Sequence, residues 1–171
     1  EDMSTLLSQF FTKYNQISPL EHTFTEVLES ISLKPKTLYF RGKLPENMVK
    51  SGPQNARNKT IKEHETPEKS SGKNRTTRPR AVAIVGSRHN TKYGEEIAYK
   101  LAYELAKRGV VVISGLAYGI DSIGHRGCLD AGGITVAVLG NPIDDIHPRN
   151  HLSLARNIIE QGGAIISEYA P

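Results

Sequence analysis

Four short apolar runs, rich in β-branched residues, constrain this chain more than any other feature of its sequence: AVAIV at 81–85, VVVI at 110–113, TVAVL at 135–139 and AII at 164–166. None alternates apolar with polar residues. Strands with one wet face show that alternation, whereas continuous apolar runs mark strands buried on both faces, as in a parallel sheet covered by helices. Helical patterns fill the gaps. In 92–108, Ile97, Leu101 and Leu105 recur every four residues with Ala98 and Ala102 beside them, and Gly109 follows where a C-terminal glycine cap belongs. In 150–161, Leu152, Ala155, Ile158 and Ile159 fall on one face, and Gly162–Gly163 end the pattern. The segment 120–131 is shorter and more polar but is also flanked by strands. Strand and helix in strict alternation predict an α/β fold: a Rossmann-like, doubly wound, mainly parallel sheet with helices on both faces.

The remainder of the chain has a different texture. Residues 1–51 suggest one amphipathic helix around Phe10, Phe11, Tyr14 and Ile17, a second around Val27, Leu28 and Ile31, and an extended piece TLYFRGKL at 37–44. This N-terminal segment is expected to pack on the edge of the main sheet. Residues 52–80 contain only Ala56 and Ile61 as apolar residues. So polar a stretch buries too little surface to offset its ordering entropy and reads as a flexible basic linker or insertion. The Rossmann-like domain then occupies 81–171.

The charge follows the same division. The chain of 171 residues carries a net charge of +4, but residues 1–51 hold six basic and six acidic side chains, and 81–171 hold eight and nine. The segment 52–80 holds eight basic and three acidic residues, so the whole basic excess sits there. Such an excess reads first as a solvated tether and second as an arm that touches phosphates. No run approaches the roughly 20 apolar residues of a spanning helix, and the acidic start Glu1-Asp2-Met3 does not resemble a secretory signal. No membrane association is therefore expected. A single cysteine, Cys128, excludes an internal disulfide and multi-cysteine zinc sites, and it reads as a small buried residue in a reducing, cytoplasmic protein.

In an open parallel sheet, ligands bind beyond the C-terminal strand ends, so the loops after the apolar runs carry the candidate chemistry. The first loop is Gly86-Ser87-Arg88-His89-Asn90. Gly86 permits a tight turn, Ser87 offers a hydroxyl, Arg88 offers a planar charged fork, and the following helix start, with Lys92, offers free backbone N–H groups. Together they form a candidate phosphate cradle, although the arginine could equally serve an acidic neighbour. The second loop is Ser114-Gly115-Leu116-Ala117-Tyr118-Gly119-Ile120-Asp121, whose small residues admit close approach of a ligand. Asp121 reads as a helix cap or as an acceptor from a sugar or base. His125 lies one helical turn further on, so the two read as a structural or ligand-positioning pair. The third loop, 140–151, contains adjacent Asp144 and Asp145, His147, Arg149 and His151. Pro148 breaks helical spacing between the two histidines, so no metal site is expected there, while Arg149 and His151 add positive character to the ligand face. The chain contains no GxxxxGK[ST], GxGxxG, HExxH or GxSxG motif, so phosphate-friendly loops stand without a catalytic set.

Taken in order, AVAIVGSR (81–88), SGLAYGID (114–121), His125-Arg126-Gly127, TVAVLG (135–140), HPRN (147–150) and IISEYAP (165–171) resemble the DprA/Smf DNA-processing family, and PKTLYFRGKL (35–44) resembles that family's segment leading into the domain. The resemblance implies a Rossmann-like domain that binds single-stranded DNA without enzymatic turnover or cofactor. It also implies a role in natural transformation and recombination, helping to load a RecA-type recombinase, and a homo-oligomer. It carries phosphate contact onto Gly86, Ser87 and Arg88, and the lining of the same pocket onto Ser114, Gly115, Ala117, Gly119 and Asp121. Arg149, with Lys92, Arg126 and His125 in support, completes the candidate set. The family's domain runs past the SEYP-like motif, so this chain is expected to hold its first half, truncated at the C-terminus with an apolar sheet edge left open. The alternative is a small-nucleotide-binding or nucleotide-hydrolysing protein of the same fold neighbourhood, whose PGGxGTxxE signature the chain lacks.

Overall fold

A computed structural model describes residues 13–46 and 79–171. The expected linker 52–80 falls almost wholly outside the described residues, as do Phe10 and Phe11 of the expected first helix. Six strands form one sheet: β1 (Asn15–Ile17), β2 (Leu38–Gly42), β3 (Ala81–Ala83), β4 (Val111–Ser114), β5 (Thr135–Leu139) and β6 (Ala164–Ser167), in the order β1-β2-β6-β5-β4-β3. Strands β3 to β6 pair parallel, with Val112 opposite Thr135 and Val136 opposite Ala164 setting the register. Each parallel step is bridged by a helix: α1 (Lys92–Lys107), α2 (Ile120–Asp130) and α3 (Leu152–Glu160). This is the α/β, Rossmann-like arrangement that the apolar runs predict.

The three crossovers march in one direction across the sheet, and this places all three helices on one face. Val112, Ala137 and Ile165 point to that face and pack against α1, α2 and α3. Their strand neighbours Val111, Val136, Ala164 and Ile166 point the other way, as the two-residue strand period requires. There the cover consists of Phe24 and Leu28, beside and within the short 3-10 turn Glu26–Ser30. Helices on both faces were expected; among the described residues the second face carries 3-10 turns instead. Val138 is half exposed there and lines an apolar hollow of about 490 Å3 with Phe24, Leu28, Leu38, Ile113 and Ile166. No residue of the glycine loops lines that hollow.

The N-terminal segment adds two antiparallel strands. β2 pairs with β6, Arg41 opposite Ile165, and β1 pairs with β2. Tyr14 and Ile17 belong to this extended stretch rather than to a helix, and the Tyr14 ring meets Tyr39 edge-on at 5.9 Å. The second expected helix, at Val27, Leu28 and Ile31, is the 3-10 turn, with Ile31 as its C-terminal cap. Arg41 is buried on the helical face of β2; desolvation lowers its pKa, while Asp144 and Tyr14 act in the opposite direction.

Helix α1 departs from its sequence pattern in an instructive way. Ile97 and Leu101 are about half exposed, and the helix buries Ala98, Ala102 and Ala106. Small side chains let α1 and α2 approach closely, and Gly127 completes the contact. A Cβ added there would lie 2.5 Å from the Tyr99 carbonyl oxygen, an atom of a rigid backbone. Gly127→Ala gains roughly 1 kcal/mol of helix propensity but forces this contact apart, a kind of overpacking that costs about 1–3 kcal/mol. The variant is predicted to melt below the parent in a thermal unfolding experiment despite its better helix former.

Candidate nucleic-acid interface

The loops after β3 and β4 meet at the C-terminal end of the parallel strands, and Asp121 joins them. Its Oδ1 accepts a hydrogen bond from the Gly86 N–H at 3.3 Å and its Oδ2 from the Gly115 N–H at 3.0 Å. One buried carboxylate in the first turn of α2 thus fixes Gly86 of the first loop and Gly115 of the second. The glycines are sterically required: a Cβ on Gly115 would lie 2.7 Å from Asp121 Oδ2, and one on Gly119 would lie 2.2 Å from the Ser87 carbonyl oxygen. Gly119 also takes φ +76°, a region L-residues avoid. The Ile120 N–H donates to that same Ser87 carbonyl at 3.2 Å, which closes the second loop against the first.

Within this frame the sequence candidates separate by role. Gly86, Ser87 and Arg88 are exposed. The Ser87 Oγ accepts from the His89 N–H at 3.0 Å, so the hydroxyl shapes its own turn. Among the described residues Arg88 makes no ion pair. The N-terminus of α1 follows, capped by Thr91 Oγ1 on the Gly94 N–H at 3.1 Å, with exposed Lys92 at its first position. Ser114 is buried, and its Oγ donates to the Ile84 carbonyl at 2.6 Å, so it ties β4 to the end of β3 rather than facing solvent. Ala117 is half-buried and its carbonyl accepts from the Ser122 N–H. Arg149 is exposed at the start of the 3-10 turn Arg149–His151 that leads into α3. Arg126 is exposed elsewhere, in hollows flanked by Asp130 between the helices.

Asp121 and His125 each have another partner. His125 is fully buried, with Nδ1 2.7 Å from Thr135 Oγ1, whose hydroxyl donates to the Val112 carbonyl. Thr135 has one proton to give, so His125 donates from Nδ1 and is neutral with an acceptor at Nε2. Burial pushes its pKa from 6.5 down to about 3, with His151 acting in the same direction. Cys128 is buried and its thiol pKa is raised to about 11 by desolvation, as expected of a core residue.

Two residues take roles the sequence does not assign them, and His151, expected to add positive character to the ligand face, is turned into the core instead. His151 is buried, and its Nδ1 donates to the Leu116 carbonyl at 2.7 Å. Leu116 is fully buried at φ +60°, a strained conformation for a branched side chain. Tyr118 is about half exposed, and its ring meets His151 edge-on at 5.0 Å. The histidine lies 35 residues from the carbonyl it holds, a separation no local pattern spans.

Two outcomes follow for stability. Asp121→Asn replaces one acceptor by a donor facing an N–H, which leaves a part-buried amide unpaired at a cost of about 1–3 kcal/mol. Equilibrium denaturation is expected to show that loss, with faster hydrogen exchange at Gly86 or Gly115. His125 binds a proton near pH 6.5 when unfolded and only near 3 when folded, so its contribution is complete above pH 6.5 and is lost as pH falls. The slope approaches 1.4 kcal/mol per pH unit. Melts at pH 7 and pH 5 are expected to show this loss in the parent and a smaller one in His125→Gln.

Comparison with known proteins agrees with this geometry. The family model for DNA recombination-mediator protein A matches residues 58–171. Protein Smf of Escherichia coli (strain K12) is 48% identical over 88 residues, 52% of this chain and 24% of its own length. The putative DNA processing protein DprA of Mycobacterium tuberculosis (strain H37Rv) is 50% identical over 93 residues, 54% of this chain and 24% of its own length. The chain thus spans about a quarter of these relatives. Among solved structures, DNA processing protein A from Helicobacter pylori, described with a unique single-stranded DNA binding mode, superposes with a TM-score of 0.65 at 26% identity over 95% of this chain and 58% of its own. That from Streptococcus pneumoniae gives 0.62 at 25% identity over 99% and 49%. With a family match across two-thirds of its length and the same architecture in two solved relatives, this chain belongs to the DNA recombination-mediator protein A family.

Proposed function

We propose that this chain binds single-stranded DNA through the loops at 86–88 and 115–119, as a non-catalytic part of DNA processing. The observation that carries the reading is the joined pair of glycine loops at the strand ends, with Arg88 exposed and outside any ion pair among the described residues. Exposed backbone beside an exposed guanidinium suits a phosphate, because a planar fork and N–H groups supply donors where phosphate offers only acceptors. The single-stranded DNA binding named for the H. pylori relative supports the same reading. In it Gly86, Ser87, Arg88, Gly115, Ala117 and Gly119 form the contact surface. Ser114 and Asp121 hold that surface in shape, and Arg149 and Lys92 add field at its margin. Arg126 and His125 drop out of direct contact, the first for its place beside Asp130 and the second for its burial.

Membership in the family supports a wider role within this proposal. The reading includes service to a RecA-type recombinase in natural transformation, self-association and a cytoplasmic setting, with no cofactor and no enzymatic step. Among the described residues no helix is long and apolar enough to cross a membrane.

Binding of this kind is driven by counterion release and tolerates sequence, with a salt slope that counts phosphate contacts. Arg88→Ala is expected to weaken binding of a labelled single strand by about 10- to 100-fold, the range of a charged hydrogen bond. It should lower the logarithmic salt slope by about 0.7. Fluorescence anisotropy at several salt concentrations reads both quantities. An unchanged dissociation constant would contradict the assignment, and a mononucleotide that raises the melting temperature strongly, with no effect from oligonucleotides, would favour a small-nucleotide protein.

A further inference from the structure

We infer that Tyr118, seated on His151, is a stacking platform for an unpaired nucleobase whose phosphate lies on the Gly86–Arg88 loop. The inference rests on the single-stranded DNA reading and adds to it the group that recognises the base.

Three observations meet at this ring. First, it is exposed where its surroundings are not. Tyr118 keeps 46% of its surface in solvent, while Leu116, two residues before it, keeps none and Asp121, three after it, keeps 6%. Second, the ring is anchored from beneath. His151 is 4% exposed, meets Tyr118 edge-on at 67° between planes, and is itself fixed by the 2.7 Å bond to the Leu116 carbonyl. Exposed Tyr93 and Tyr169 carry no such ring contact among the described residues. An aromatic ring already held in place loses little freedom when a base stacks on it. Third, the platform adjoins the phosphate loop. Gly119, the next residue, packs so closely that an added Cβ would lie 2.9 Å from Arg88 Cα. A loop bearing a cation and an anchored aromatic one residue from the contact with that loop match a sugar-phosphate unit that carries a free base. The match does not depend on which base is present, because every base offers a π-face.

The strained Leu116 takes its place in this arrangement. At φ +60° its carbonyl turns to His151 and its side chain enters the core. His151 is thus a positioning residue: it holds the loop from which Tyr118 projects and supplies the surface on which that ring rests.

Anisotropy with oligothymidylate and with an abasic strand of equal length separates base from backbone. The parent is expected to bind the abasic strand about 5- to 100-fold more weakly, the range of one base–aromatic stack. Tyr118→Ala should lose a similar factor on oligothymidylate and almost none on the abasic strand, at an unchanged salt slope, and Tyr118→Phe should bind as the parent does. His151→Asn keeps a donor near the Nδ1 position but removes the ring seat. It should narrow the difference between the two strands while leaving abasic affinity in place; equal losses on both strands would mark His151 as merely structural. Tyr118→Ala with parental affinity for oligothymidylate overturns the inference, and the Arg88→Ala loss in the same assay then leaves the single-stranded DNA reading standing. Absence of binding to either strand by the folded parent overturns both.

Discussion

The pair of hydrogen bonds from Gly86 and Gly115 to the Asp121 carboxylate holds the loops at the C-terminal end of the parallel strands in one shape. Gly86, three residues past the end of β3, and Gly115, the first residue after β4, donate to opposite oxygens of a single side chain in the first turn of α2. Beside that bridge, the Ile120 N–H on the Ser87 carbonyl and the Ser114 hydroxyl on the Ile84 carbonyl tie the same two loops together. With these ties, the Gly119 backbone, one residue past Tyr118, closes on Ser87 and Arg88. A carboxylate is suited to this task because it accepts from two directions without rearrangement and tolerates burial once both oxygens are bonded. Negative charge at a helix N-terminus is favourable in addition.

The parallel core was open to a reading of the chain because its signals are local. TVAVL at 135–139 is β5 residue for residue, and the glycines at 109 and 162 take the positive φ of helix ends. The glycine loops could be placed beyond strand ends from the alternation of apolar runs and helical patterns. What the sequence hides is set by tertiary neighbours. Tyr14 and Ile17 share a helical spacing, yet they sit in or beside a strand because β2 offers an edge to pair with. Ile97 and Leu101 mark the apparent core face of α1, yet alanines form it because Gly127 brings α2 so close. Asp121 and His125 share a helix face by spacing, yet Gly86, Gly115 and Thr135 are the better-placed partners. His151 could not be matched to Leu116 from spacing at all.

The sheet itself is asymmetric. One face is sealed by three helices, and the other leaves Val138 half exposed over an apolar hollow. At the far edge β3 shows all three of its residues to solvent although they are apolar. The chain spans 58% and 49% of two solved structures it resembles. The ligand loops depend on neither surface: their bonds run among β3, β4, α2 and the turn before α3. The near balance of eight basic and nine acidic residues over 81–171 is compatible with a DNA role when charge acts locally, through Arg88 at a focused site, rather than through the net total.

The claim at the centre of this account is that the joined loops, and not the basic stretch at 52–80, meet the nucleic acid. Amide chemical shifts followed during titration with a short single strand test it most directly. The account predicts that the Gly86, Ser87, Arg88, Tyr118 and Gly119 amides move first and together, with Ser114 and Thr135 nearly still. Shifts confined to the basic stretch, with the glycine loops unmoved at saturation, would contradict it.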